Sequence, residues 1–228
     1  MIDPFNKQLL LKRMPGLLPM ARAAFSSSCA SRLFPIYCRI HEQDGSGDPF
    51  KLKATLDYCW DSILADSNDE AGSKFHLQQV EDLVGIAYSS SSVFRQYSQD
   101  ATSIVLYSML ALTSKNVEEP IWAVQCIYES VARYIASKEG VLLKGKQGLK
   151  GLKLASRINS SPLMQLDCSR ELRDLEELSR GYSPELALLL RARAEAEPSL
   201  PAELIVPSDL PSLSLVQIMH LQDGEFCV

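Results

Sequence analysis

The sequence predicts an all-α fold, a multi-helix bundle-like domain followed by an irregular C-terminal tail. Three observations predict it. Apolar residues recur every three or four positions in successive segments of the 228-residue chain, the spacing that places them on one face of an α-helix. Asp48-Pro49, Ser161-Pro162 and Ser183-Pro184 each set a side-chain oxygen before a proline. This marks a helix start, because the first helical N–H groups need an outside acceptor and proline at the first position has no N–H to satisfy. A composition of 46% apolar and 22% charged residues supplies enough material for a real core and excludes disorder and collagen.

The elements follow in order. An early helix runs roughly through residues 17 to 41, and Gly45 and Gly47 form the turn after it. Asp48 and Pro49 open the next helix, with Leu52, Leu56, Cys59, Trp60 and Ile63 on its apolar face and Lys53, Asp57 and Asp61 on another. Leu77, Val80, Leu83, Val84 and Ala87 make a further stripe, ended by Ser89 to Ser92, whose hydroxyls compete with helical backbone bonds. Ile104 to Leu112 is apolar nearly all round, which suits a central helix. Glu118 and Glu119 favour the start of a fifth helix carrying Val124, Ile127, Tyr128, Val131 and Ile135.

Between Gly140 and Ser160 the composition shifts to four glycines, five basic residues and no acid, the mark of a basic Gly/Lys connector. Two helices follow, from Ser161-Pro162 to Gly181 and from Ser183-Pro184 onward. Their expected buried edges are Leu172, Leu175 and Leu178, then Leu186, Leu189 and Leu190. Prolines at 198, 201, 207 and 211 forbid a continuous helix beyond. The expectation is one helical domain over residues 1–197, with a Pro-containing tail over 198–228 that holds either a short strand or a partner-binding segment.

The stretch from Cys29 to Leu64 carries Arg32-Leu33-Phe34-Pro35 and Tyr37 on a helix, a Gly47-Asp48 turn, and Leu56-Asp57 with Trp60 on the next helix. In this order of features it resembles the YjaG-like bacterial family of unknown function. The likeness continues through Phe75, Leu77, Glu81-Asp82-Leu83, Asp100-Ala101 and Leu110-Ala111-Leu112, covering roughly residues 17–135. The chain departs around the Asp-Ala pair, where Ser98-Gln99 and Thr102 stand in place of proline-alanine and cysteine. Residues after about 140 look peculiar to this chain. The resemblance implies an all-helical fold and a bacterial cytoplasmic setting, and it brings no catalytic residues.

Charge and motifs narrow the function. A net charge of −5 lacks the broad positive field of nonspecific nucleic-acid binding. The six cysteines form no CxxC pair, so they read as reduced thiols on apolar faces of a cytosolic protein. No apolar run reaches the length of a membrane span or a signal-peptide core. Gly140 to Gln147 satisfies GxxxxGK but offers Gln147 where a magnesium-binding hydroxyl belongs, and it follows a helix rather than a strand. Only Cys38 with His41 approaches metal-ligand spacing, as half a site, so no metal or other cofactor is expected. There is no GxSxG elbow.

These readings favour a non-catalytic protein-binding module, most concretely an immunity protein that neutralises a cognate bacterial toxin. Asp57, Asp61, Glu81 and Asp82 are the expected partner-binding residues, since an acidic helical face can steer a basic partner. The alternative is an enzyme or nucleic-acid-associated factor using the basic segment, with Lys144, Lys146, Lys150, Lys153 and Arg157 as phosphate contacts. No aromatic residue is interleaved there for base stacking, so nucleic acid is the weaker expectation.

Overall fold

The computed structural model describes residues 7–201 apart from 68, 91, 93, 115 and 139–148, and only the backbone of 149–154. The described elements are α1 (Lys7–Arg13), a 3-10 turn (Met14–Gly16), α2 (Pro19–Asp44), α3 (Pro49–Leu64), α4 (Glu70–Ser89), α5 (Arg95–Thr113), α6 (Glu119–Lys138), α7 (Leu149–Ser160), α8 (Pro162–Arg180) and α9 (Pro184–Ala196). Every regular element among the described residues is helical, as the periodicity predicts.

At the centre stands α2, which packs against α3, α5, α6, α8 and α9. Its 26 residues make it about 39 Å long at the usual helical rise. From Ala21 to Leu33 it is buried on all sides, with Ala23, Ala24, Ser27, Ser28 and Ala30 small enough for neighbouring helices to approach closely. This central helix also takes serines and arginines into the interior, which sets up the polar seam described below. The second central helix, α5, lies against α2, α4 and α6, and Ile104, Val105, Met109 and Ala111 are buried there. It begins at Arg95, nine residues before the apolar stretch that announces it.

The turn between α2 and α3 shows how local sequence fixes a junction. Gly45 ends α2 with φ +70°, and its N–H donates to the His41 carbonyl at 2.8 Å. Gly47, at φ +77°, lets the Tyr37 ring pass so close that a Cβ would lie 2.3 Å from the Tyr37 hydroxyl oxygen. That hydroxyl accepts from the Asp48 N–H at 3.0 Å, and Asp48 Oδ1 in turn accepts from Lys51 N–H at 3.1 Å to cap α3. In the same way Asp69 caps α4 through Gly72 N–H at 2.8 Å, and Ser183 caps α9 through Leu186 N–H at 3.2 Å. Ser161 holds the N-cap position of α8, but its hydroxyl makes no cap bond.

Two expectations change, and one helix is added. The basic connector does not run to Ser160, because α7 occupies Leu149–Ser160. Tertiary contacts outweigh the helix cost of its glycine: Ile158 is buried in the core and Tyr128 donates to Asn159 Oδ1 at 3.0 Å, tying α7 to α6. Leu189 is half exposed rather than buried, and Ala187, Leu190 and Ala194 form the inner edge of α9. The N-terminal Lys7–Arg13 segment forms its own helix ahead of α2, with Leu10 buried. Lys144, Lys146, the GxxxxGK match and the tail from residue 202 lie outside the described residues.

Candidate functional site

Three polar constructions stand out, two buried and one on the surface. The first buried one lies between α2 and α8. Asp167, Glu171 and Asp174 follow at i, i+4 and i+7 along α8, so helical geometry aligns them on one face, and that face is turned inward. Opposite them on α2 stand Ser28, Cys29 and Arg32. Arg32 Nη2 pairs with Asp174 Oδ2, both side chains being wholly shielded from solvent. The Ser28 hydroxyl donates to Asp174 Oδ2 at 3.1 Å, and Arg32 Nη1 donates to Ser28 Oγ at 3.4 Å. Arg173 Nε and Arg193 Nη2 each lie 3.6 Å from Asp174 Oδ1 at the rim.

Asp167 and Glu171 lack such support. Asp167 Oδ1, Glu171 Oε1 and Arg32 Nε find no hydrogen-bond partner among the described residues. Burial pushes the Asp167 carboxyl up to about 6 against the opposing pull of Ser199 and Arg32. Burial and the adjoining Asp167 hold the Glu171 proton well above the usual carboxylate range. Burial likewise raises the Cys29 thiol, which keeps it protonated and unreactive. The arrangement sets two carboxyl groups and a thiol, all shifted toward their protonated forms by burial, side by side in a closed interior. No group of three or more His, Cys, Asp or Glu side chains placed to hold a metal ion occurs among the described residues.

A second buried pair joins α5 to α6. Asp100 Oδ2 accepts from Ser130 Oγ at 2.6 Å and from Arg133 Nη1 at 2.8 Å, while the Arg133 guanidinium sits 5.3 Å from the Tyr97 ring centroid. Glu129 accepts from Gln125 Nε2 at 2.9 Å, and burial, with Asp100 nearby, pushes its carboxyl up to about 7.

On the surface, the four acids expected to bind a partner separate into two settings. Asp57 and Asp61 on α3 are engaged by Arg191 of α9, at 2.7 Å and 3.5 Å, and Asp57 also meets Lys53. Glu81 and Asp82 lie exposed on α4, where Gln78 Nε2 donates to Asp82 Oδ1 at 3.0 Å. Asp82 shares the outward face of α4 with Phe75 and Ile86, which stand at i−7 and i+4 and are 58% and 53% exposed. Tyr88 is exposed on the same helix. Of the basic residues, Lys150, Lys153 and Arg157 belong to α7 at i, i+3 and i+7, and Arg157 is exposed.

Sequence reasoning passed over the buried seam, although its signal is present. Three acids at i, i+4 and i+7 in α8 interrupt the apolar face that Leu175 and Leu178 continue. A buried acid stripe needs cations, and Arg32 is the one the central helix supplies.

A family profile described as a protein of unknown function, DUF416, matches residues 10–199. The chain belongs to the DUF416 family. The match extends through α8 and α9, so the segment after residue 140 is not peculiar to this chain, and both sides of the α2–α8 seam lie within the family region. No curated protein sequence matches. Among solved structures, the crystal structure of a DUF416 family protein from Shewanella baltica OS155 is similar, with a TM-score of 0.68 at 20% identity over 80% of this chain and 91% of that one. At that identity the likeness concerns the fold. No helix among the described residues is long and apolar enough to cross a membrane.

Proposed function

We propose that this DUF416 member is a non-catalytic protein-binding module of the bacterial cytoplasm, docking a basic partner on the outer face of α4. Its most concrete form is an immunity protein that neutralises a cognate toxin. The carrying observation is the exposure of Phe75 and Ile86 on either side of Asp82 along one helix face. Large apolar side chains beside a carboxylate combine the two elements an interface uses. Desolvated anchors supply affinity, and charge supplies steering and register. Glu81 extends the acidic side of this face, whereas Asp57 and Asp61 are committed to Arg191 within the chain. Within the family we place the chain among the YjaG-like proteins, on the residues Arg32-Leu33-Phe34-Pro35, Gly47-Asp48 and Glu81-Asp82-Leu83.

The test is co-expression of the chain with the product of the adjacent gene, scoring cell survival and recovery of a complex. Survival together with a complex supports the immunity reading. Protection without a complex removes the binding mechanism, and a complex formed with a harmless neighbour retains binding but removes immunity.

A further inference from the structure

Beyond the end of α9 the chain does not leave the domain at once. Residues Glu197 to Leu200 cross back over the α2–α8 seam as a strap. Ser199 N–H donates to the Arg32 carbonyl at 3.1 Å, Arg170 Nη1 donates to the Pro198 carbonyl at 3.2 Å, and Arg173 Nη2 donates to Glu197 Oε2 at 2.8 Å. Arg170 Nε adds a second contact to the same Glu197 oxygen at 3.5 Å. Ser199 and Leu200 are buried, and the Ser199 hydroxyl lies beside Asp167. The strap therefore covers Asp167, whose Oδ1, like Glu171 Oε1 one helical turn on, finds no hydrogen-bond partner among the described residues.

We propose that the strap Glu197–Leu200 is a proton-controlled latch, closed over the Asp167–Glu171 pair while the pair retains a proton and released when both carboxyl groups are ionised. The physical reason is the balance of charge around the pair. Cys29 and Arg32 face it from α2, Arg170, Arg173 and Asp174 from α8 itself, Arg193 from α9 and Glu197 from the strap. From α6 the titratable group linked to this cluster is Cys126, whose thiol Cys29 helps to raise, and α7 meets the first turn of α8 through the uncharged Ile158 and Asn159.

Among the described residues Arg32 is the one fully shielded cation, and it is already paired with Asp174. One proton shared between Asp167 and Glu171 leaves a single negative charge to accommodate. Loss of that proton leaves two adjoining buried anions, which repel one another and lack hydration. Lifting the strap admits water to both and relieves the penalty without unfolding α2 or α8. Arg170 and Arg173 hold Glu197 from outside the pair and so oppose release at every pH.

Amide hydrogen exchange at Ser199 reads the latch directly, because that N–H is held by Arg32 O. After correction for the intrinsic rate, its protection in the full chain is expected to fall as pH rises above about 6, where Asp167 ionises first and the Glu171 proton is the one then lost. The limiting slope is about tenfold per pH unit for one linked proton. Amides in the middle of α8, such as that of Leu175, keep their protection throughout. Glu171→Gln mimics the protonated carboxyl and flattens the response, and Asp167→Asn serves the same purpose should the first variant fold poorly. Glu197→Gln raises exchange at every pH but keeps the slope. Constant protection in the native chain, an unchanged slope in both neutralised variants, or simultaneous loss of protection at Leu175 would overturn the proposal.

Discussion

Arg191 of α9 donates through Nη2 to Asp57 Oδ1 of α3 at 2.7 Å, across 134 residues of sequence, and its Nη1 lies 3.5 Å from Asp61. Two of the acids that the sequence offers to a partner thus fasten the last helix to the third. Of the four acids, this leaves Glu81 and Asp82 on α4, where they stand beside exposed apolar side chains.

The first prediction concerns this clasp. Arg191 is 21% exposed and Asp61 73%, so solvent screens the pairs. Arg191→Ala is expected to cost about 1 kcal/mol or less, with a loss that shrinks in high salt. Thermal melts at two ionic strengths check it, and a salt-independent loss of several kcal/mol would mean that the clasp is effectively buried.

A much larger effect is expected in the seam. Asp174→Ala strands the shielded Arg32 and is expected to destabilise by about 3–5 kcal/mol, whereas the double change Arg32→Met with Asp174→Leu removes both charges and recovers a large part of that loss. Urea unfolding of the two variants and the native chain measures the difference.

Trp60 tests the packing of α3 on α2. Its ring is completely buried and its indole N–H donates to Ser31 Oγ at 2.9 Å. Trp60→Ala is expected to cost about 3–5 kcal/mol through the cavity. Trp60→Phe keeps much of the ring but leaves the Ser31 hydroxyl without its donor, at about 1–3 kcal/mol. Equal losses in the two variants would assign the energy to the hydrogen bond rather than to the cavity.

Glu129 predicts a pH dependence. Its folded-state carboxyl titrates at about 7 against an ordinary 4.5, so the native state holds a proton there that the unfolded chain has released. The stability from this group is fully present below pH 4.5 and is lost as pH rises to about 7. The loss is on the order of 3 kcal/mol. Glu129→Gln is expected to remove this component from a plot of unfolding free energy against pH, and an unchanged slope between pH 5 and 7 would contradict it.

Fold class and most helix starts are legible in the sequence because they depend on local chemistry. Asp48 with Pro49 and Ser183 with Pro184 cap where they stand, and the stripe from Val124 to Ile135 is buried as its spacing requires. The misses have a tertiary cause. A Gly- and Lys-rich segment becomes α7 because Ile158 and Asn159 find partners on other helices, and Leu189 is exposed because α9 turns Ala187 and Leu190 inward. The placement of the acids is legible only in part. Glu81 and Asp82 are exposed, as an amphipathic helix requires, but Arg191 lies 130 residues from Asp61, too far along the chain for local patterning to connect them. The same holds for Arg32 and Asp174, 142 residues apart.

The most direct measurement is calorimetric titration of the purified chain with the product of the adjacent gene, repeated with a Phe75→Ser, Ile86→Ser double variant whose exposed positions leave folding intact. The prediction is saturable one-to-one binding by the native chain and at least about thirtyfold weaker binding by the variant, as expected when two anchors worth more than about 1 kcal/mol each are removed. Binding of equal strength by both proteins would contradict docking on α4.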